Sequence, residues 1–379
     1  MTSTSTYQAA KITAPLLENY FEQYLLDINS EIEKPVNFPK ATFIESMVDA
    51  AFWASLRKEE ARSPKISLAF LSPEQADHPL LFANKLRLNP VTLTKLAPGI
   101  EGAGIHLGIW YDDHGLFIWG TTLNIPNFCF VLDVSEPALL VIKHRRLCGF
   151  GKFTNVAILK GDEIKIINEN SAFLPDSPQI LNYLLGLNTN IKRTETVNVM
   201  IQLAVGMRSH KRGGIILIVP KSDNKWKKSM IHPIQYQLRP AFTNLAILMN
   251  EYSDAVNETV WESTVKKEID SIAGLSAIDG AVVLNDDYEL LAFGTKITKL
   301  SSEQQIEKLS FIEPVIGGEV KEVFVSEIGG TRHLSAAQFV YDQRDSVALV
   351  ASQDGHFTVF SWSPERKMVQ CHKIDTLLI

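Results

Sequence analysis

Gly213-Gly214-Ile215-Ile216-Leu217-Ile218-Val219-Pro220 carries five branched aliphatic residues without interruption, opened by two glycines and closed by a proline. A strand with one wet face alternates apolar and polar side chains, whereas a strand covered on both faces reads as a continuous apolar run. Ile215 to Val219 is therefore expected to be a buried central strand. Just upstream, Val197, Met200, Ile201, Ala204 and Met207 recur at helical spacing, so Thr196 to Met207 is expected to be a helix. Ser209-His210-Lys211-Arg212-Gly213-Gly214 ends it, with cations at the negative end of the helix dipole and glycine for a left-handed cap. Downstream, helices are expected at Pro240 to Asn250 and Val256 to Ile272. Strands are expected at Ala281 to Leu284, Leu290 to Phe293, Val323 to Val325, Ser346 to Ala351 and Phe357 to Trp362. Helix and buried strand alternate, which predicts an α/β (mixed α+β) domain with a central mixed β-sheet flanked by helices.

The first half has a different texture. Leu16, Leu17, Tyr20, Phe21, Tyr24 and Leu25 form one helical stripe, and Phe43, Met47, Ala50, Ala51 and Ala54 a second. From Ile66 to about Ile167 the chain breaks into short segments rich in branched and aromatic residues. Ile66 to Leu71, Ile105 to Tyr111, Leu116 to Trp119, Phe128 to Leu132, Leu139 to Lys143, Val156 to Leu159 and Glu163 to Ile167 read as strands. Asp112-Asp113-His114-Gly115 and Lys160-Gly161-Asp162 read as turns between them. His144-Arg145-Arg146 reads as a solvated strand end. This half is expected to be one α+β module. Asn168 to Arg193, with Pro175, Pro178 and several Asn and Ser, is the linker candidate. The expected domains are therefore 1–185 and 186–379.

At roughly 150 residues per domain, 379 residues suit two or three domains. A hydrophobic share of 45% is enough to close a large core, which excludes global disorder. With 37 basic against 43 acidic residues the net charge is -6, so nucleic acid is not expected as a partner. Cys129, Cys148 and Cys371 are an odd number with no CxxC pair, which excludes a disulfide framework and points to free thiols in a reducing compartment. The opening MTSTSTYQAAKITAP has no cationic segment followed by an apolar one, and no run approaches the ~20 residues of a membrane span. A cytoplasmic location with no membrane contact is the expectation.

Chemistry concentrates in two short segments. In Ile278-Asp279-Gly280-Ala281-Val282-Val283-Leu284 an acid stands at the mouth of a buried strand, followed by residues with no bulk. That suits a divalent cation or a substrate hydroxyl beside a flat group on bare backbone, and it equally suits an Asp-Gly turn entering a strand. Gly329-Gly330-Thr331-Arg332-His333-Leu334-Ser335-Ala336-Ala337 places glycines, hydroxyls, an Arg and a His at a helix start. Glycine turns amides toward an anion, the helix adds partial positive charge, and Arg offers a planar fork for phosphate. Read structurally, the same residues are a helix cap with a satisfied His and a surface Arg. Lys221 to Lys228, with Trp226, reads as a solvated loop with one anchor, and His356 and His372 as structural.

In order and spacing, Asp279-Gly280-Ala281, Gly330-Thr331-Arg332-His333 and Val350-Ala351-Ser352-Gln353-Asp354-Gly355 resemble the motifs of the diadenylate cyclase family, over roughly residues 190–365. The first half, together with Arg212-Gly213-Gly214 through Pro233 and Tyr236, resembles the DACNV type, in which a sensor module precedes the cyclase. The resemblance implies that two such domains, facing each other as a homodimer or within a higher homo-oligomer, each hold one ATP and join the pair into cyclic di-AMP. It implies metal binding and activation of the 3′-hydroxyl for Asp279, with Asp354 as second metal ligand and Mn²⁺ or Mg²⁺ as the ion. It implies nucleotide contact for Gly280, Ala281 and Ser352, and phosphate contact for Gly330, Thr331, Arg332, His333 and Ser335. Asp279, Arg332 and His333 would be the catalytic set.

Two positions depart from that pattern. Leu334 stands where the family usually has a second Arg, and Gln353 where many members have a metal-binding Glu, although the DACNV type tends to carry Ser-Gln-Asp-Gly here. The alternative expectation is therefore a signalling protein that binds nucleotide in the same site with little or no turnover.

Overall fold

The computed structural model describes residues 5–28, 37–102, 104–145, 153–167, 199–222, 224–250, 258–300 and 305–378. Packing divides the chain into two compact units, Met1–Ile167 and Asn168–Ile379. The expected linker and the boundary near 185 lie outside the described residues.

In the first unit, α1 (Gln8–Ile28) and α2 (Ala41–Ser55) precede β1 (Ile66–Phe70), β2 (Leu80–Arg87), α3 (Pro90–Leu96) and β3 (His106–Asp112). Then come β4 (Gly115–Thr122), β5 (Phe130–Glu136), β6 (Leu139–Arg145), β7 (Phe153–Lys160) and β8 (Glu163–Ile166). Among the described residues the strands form one mixed sheet in the order β2-β4-β3-β1-β5-β6-β7-β8, with β1 parallel to β3. Leu17 and Phe21 of α1 and Ile44, Met47, Val48 and Ala51 of α2 share a core with Leu68, Leu107, Ile118, Phe130 and Leu140 of the sheet. Leu16, expected on that stripe, is 47% exposed on the other side of α1. His144 also departs from expectation: it is buried, with its ring near Phe21 and Phe128 rather than at a solvated strand end. The turn at Asp112 to Gly115 forms as expected, with the His114 N–H donating to Asp112 Oδ1 at 2.9 Å.

The second unit runs α4 (Val199–Ser209), β9 (Gly214–Val219), β10 (Tyr236–Phe242), α5 (Asn244–Asn250) and α6 (Glu258–Leu275). It continues with β11 (Ala281–Asn285), β12 (Leu290–Thr295), β13 (Lys308–Ile312), β14 (Lys321–Phe324), α7 (Thr331–Asp342), β15 (Val347–Ala351), β16 (Phe357–Ser363) and β17 (Met368–Lys373). The described strands make a mixed sheet in the order β10-β12-β11-β9-β15-β16-β17-β13-β14. All six residues of β9 are buried, between parallel β11 and antiparallel β15. Ile215, Leu217 and Val219 share a core with Ala336, Ala337, Phe339 and Val340 of α7, and the intervening Ile216 and Ile218 face the other side of the sheet. Helix α4 packs on α6, where a Cβ placed on Gly206 would stand 2.7 Å from the Ala273 side chain. The helix expected from Pro240 is corrected: the chain stays in strand β10 to Phe242, and α5 starts only at Asn244. Proline lacks an N–H to give to a ladder, and β10 is an edge strand, where that loss is tolerated. Among the described residues no helix is long and apolar enough to cross a membrane.

Candidate functional site

The pairing of the three inner strands gathers the two chemical segments. Ile215 of β9 lies opposite Ala281 of β11 on one side and Val350 of β15 on the other, and Gly214 lies opposite Ala351. Gly213-Gly214, Asp279-Gly280-Ala281 and Ala351-Ser352 therefore emerge at one end of three adjacent strands, a span of about 10 Å at ~4.8 Å per strand.

The start of α7 closes onto the same end. A Cβ placed on Gly213, which has φ +70°, would stand 3.1 Å from both Arg332 Nη1 and the Ala351 carbonyl oxygen. Arg332 Nη2 donates to the Arg212 carbonyl oxygen at 3.3 Å. Thr331 and Arg332 are exposed in the first turn, where the helix presents partial positive charge. Gly330 is the N-cap residue, and its carbonyl accepts from the His333 N–H at 3.0 Å.

Asp279 stands at the mouth of β11 with its side chain 92% exposed and ion-paired to Lys296. The hydrogen bond from Lys296 and its charge hold the carboxyl below the ordinary carboxylate range, and the charge of Arg332 and the Gly280 N–H act in the same direction. Gly280 has φ +117°, and a Cβ there would fall 2.5 Å from the Gly294 carbonyl carbon, so only glycine fits. Ala281 is buried, and its carbonyl accepts from Thr295 Oγ1 at 2.9 Å.

His333 is set apart from its neighbours. It is 7% exposed, with its ring edge-on to Phe360 at 6.1 Å. A Cβ on Gly329 would meet His333 Nδ1 at 2.5 Å. Burial first, then the charges of His356 and Arg332, push its pKa below the usual histidine value. Ser335 is half-buried, and Leu334 is 40% exposed in the same helical turn.

Ser352 to Gly355 form the turn between β15 and β16. The Ser352 N–H donates to the His356 carbonyl at 2.9 Å, and the His356 N–H to Ser352 Oγ at 3.1 Å. Arg208, near the end of α4, donates from Nε to the Gly355 carbonyl at 3.0 Å. His356, expected to be structural, bonds through Nδ1 to Asp375 Oδ2 at 3.1 Å. Gln353 and Asp354 are exposed on this turn.

Among the described residues no group of three or more His, Cys, Asp and Glu side chains is placed to hold a metal. Asp279 and Asp354 offer hard oxygen donors of the type magnesium and manganese take, and one or two carboxylates suffice when substrate phosphates complete the shell. Donors of this chemistry fit such an ion when a ligand completes its shell.

Lys296, Gly294, Arg208 and Asp375 belong to this assembly and were not singled out from the sequence. They carry no motif; each joins through a strand or helix end that only the fold brings near. A cavity of about 230 Å³ bounded by Val219, Trp226, Asp342 and Ser346 lies at the opposite end of β9 and is separate from this site. Trp226 is buried there, as the anchor of its lysine-rich loop.

A family model described as "Probable sensor domain DACNV" matches residues 33–123, from α2 through β4 of the first unit. No curated protein matches the chain. The first unit thus holds a region similar to a sensor domain, whereas the site described above lies wholly in the second.

Proposed function

We propose that the second unit is a diadenylate cyclase domain, governed by a sensor module in the first, and that two copies face each other with one ATP each. The observation that carries this reading is the strand pairing at β9, which gathers Asp279-Gly280-Ala281, Ser352 and, through Gly213, Arg332 at one end of a sheet. Half-buried Gly280 offers bare backbone to the nucleoside above the buried Ala281, and Ser352 borders it. Gly330, Thr331, Arg332 and Ser335 at the positive end of α7 receive the phosphates. His333, buried and held neutral, positions this helix start and carries no charge to it.

In the reaction, the 3′-oxygen of each ATP bonds to the α-phosphorus of the other, and the bond from that phosphorus to its bridging oxygen breaks. Pyrophosphate leaves with the electron pair. Asp279 orients the attacking hydroxyl, whose proton passes to water. Arg332 meets the charge that develops as pyrophosphate departs. A Mn²⁺ or Mg²⁺ held by Asp279, Asp354 and the phosphates would supply further charge neutralisation. Such chemistry needs positioning and fixed charge more than a covalent nucleophile.

The second reading, nucleotide binding with weak or no turnover, is favoured by Leu334, an exposed apolar side chain where the phosphates would pass. Losing one charge-assisted contact there costs ~10²- to 10³-fold in rate. The test is a product assay on the full chain with ATP and Mn²⁺ or Mg²⁺, beside Asp279→Asn. Cyclic di-AMP made by the native chain and absent with the variant supports the cyclase. Stabilisation by ATP and metal without product supports the binder, because mass action shifts only a native state that binds. Neither product nor stabilisation removes both.

A further inference from the structure

We infer that Lys296 is a phosphate-binding residue of this site, resting on Asp279 until a metal-bound nucleoside triphosphate takes its place. The inference rests on the nucleotide-binding reading above and adds a residue that no motif contains.

Lys296 and Asp279 pair with side chains 48% and 92% exposed. An ion pair in that much water contributes little to stability, so the fold does not depend on it. Yet the backbone that allows the pair is narrowly specified. Gly280 lies on the carbonyls of Gly294 and Thr295, 2.5–2.7 Å from where a Cβ would be, at φ +117°. Gly294 has φ +59°, and a Cβ there would stand 2.8 Å from the Tyr236 ring. Two glycines on adjacent strands thus bring the exit of β12 against the entry of β11, which sets Lys296 on Asp279 and not in open solvent.

The charges then decide the ligand. Asp279 contributes one negative charge, and Lys296 and Arg332, both acting on it, contribute two positive ones. Asp354, the other carboxylate of the site, brings these four charges to zero, so the mouth takes a cation together with an anion rather than a bare cation. A metal ion entering with a triphosphate competes with the ammonium for Asp279 Oδ2. Once displaced, the ammonium has phosphate oxygens as its new counter-charge, and lysine binds phosphate as a compact point charge. Lys296 would also supply, from β12, the second cation that α7 lacks at Leu334.

The experiment compares the full chain with Lys296→Met, Lys296→Arg and the double variant Lys296→Met/Leu334→Arg. Free Mn²⁺ binding is followed by electron paramagnetic resonance, and ATP binding with Mg²⁺ by calorimetry. Lys296→Met is expected to bind Mn²⁺ alone several-fold more tightly, because Asp279 is released, and ATP about tenfold more weakly. Lys296→Arg keeps ATP affinity, the double variant recovers most of it, and melting temperatures stay level. Opposite movement of the two affinities is a signature that general damage to the site does not produce. If Lys296→Met changes neither affinity, or weakens both, the inference falls while nucleotide binding stands. If the native chain itself fails to bind ATP with metal, the nucleotide reading falls and takes the inference with it.

Discussion

Asp279 and His333 stand within one assembly, and the protein treats their charges in opposite ways. Asp279 stays ionised below its ordinary range because Lys296 donates to it. His333 is kept neutral because burial disfavours the cation. In the unfolded chain His333 takes up a proton near pH 6.5, before the folded chain does. Between that pH and the lower folded value the unfolded state binds more protons, so stability falls as pH falls. His210, also lowered by burial and then by Arg212, acts in the same sense. The melting temperature is therefore expected to drop between pH 7 and 5.5, and to drop less in His333→Gln; equal slopes in the two proteins would overturn this account. The sequence disclosed Asp279 and Arg332 through local spacing, because each motif is a few residues long. Lys296 was hidden for a physical reason: its role depends on Gly280 and Gly294 meeting across two strands, which no spacing along the chain encodes.

At the scale of elements, the turn after β15 is held by a helix from far upstream. The Arg208 guanidinium donates to Gly355, and burial presses its pKa downward while the charge of Asp375 opposes that shift. Arg208→Met keeps the stem and deletes the donor, leaving the Gly355 carbonyl unpaired. Destabilisation by about 1–3 kcal/mol is expected, with faster amide exchange at Gly355 and His356 than in Arg208→Lys. Unchanged exchange at those two amides would show that Arg208 does not hold the turn. Burial explains the reading of β9 and β2, although β13 and the largely buried β17 were also missed. The run Ile215 to Val219 is buried on both faces, and its pattern says so. Strand β2 was missed because it is an edge strand, largely exposed on both faces, so it shows no alternation. Strand β10 was missed because Pro240, tolerated at an edge, reads as the start of a helix.

For the molecule as a whole, the two units divide the labour differently. The first unit's region similar to a sensor domain spans residues 33–123, and its sheet is closed on one side by α1 and α2. The second carries the candidate chemistry, and under the proposed reaction one copy cannot complete it alone. Product formed per mole of protein should therefore rise with protein concentration until dimers saturate; a rate per mole that stays constant down to the lowest measurable concentration would contradict the face-to-face arrangement. The net charge of -6 and the strand pattern were both legible in the sequence, but neither indicates a dimer, because a self-complementary face need carry no compositional mark.

The pairing at β9 also has a consequence for the order in which the protein comes into being. Gly214 waits for Ala351, and Ile215 for Ala281, so the strand that organises the second sheet leaves the ribosome long before either neighbour. At ~5–20 residues per second, β15 follows β9 by roughly 7 to 27 seconds. Until β11 emerges this wholly apolar strand stands without a ladder, and until β15 follows one of its edges stays open to pairing with another nascent chain. A fragment ending before residue 347 would keep that strand without its partner β15 permanently. It should collect in the insoluble fraction and fail to register ATP, however intact its Asp279-Gly280-Ala281 remains.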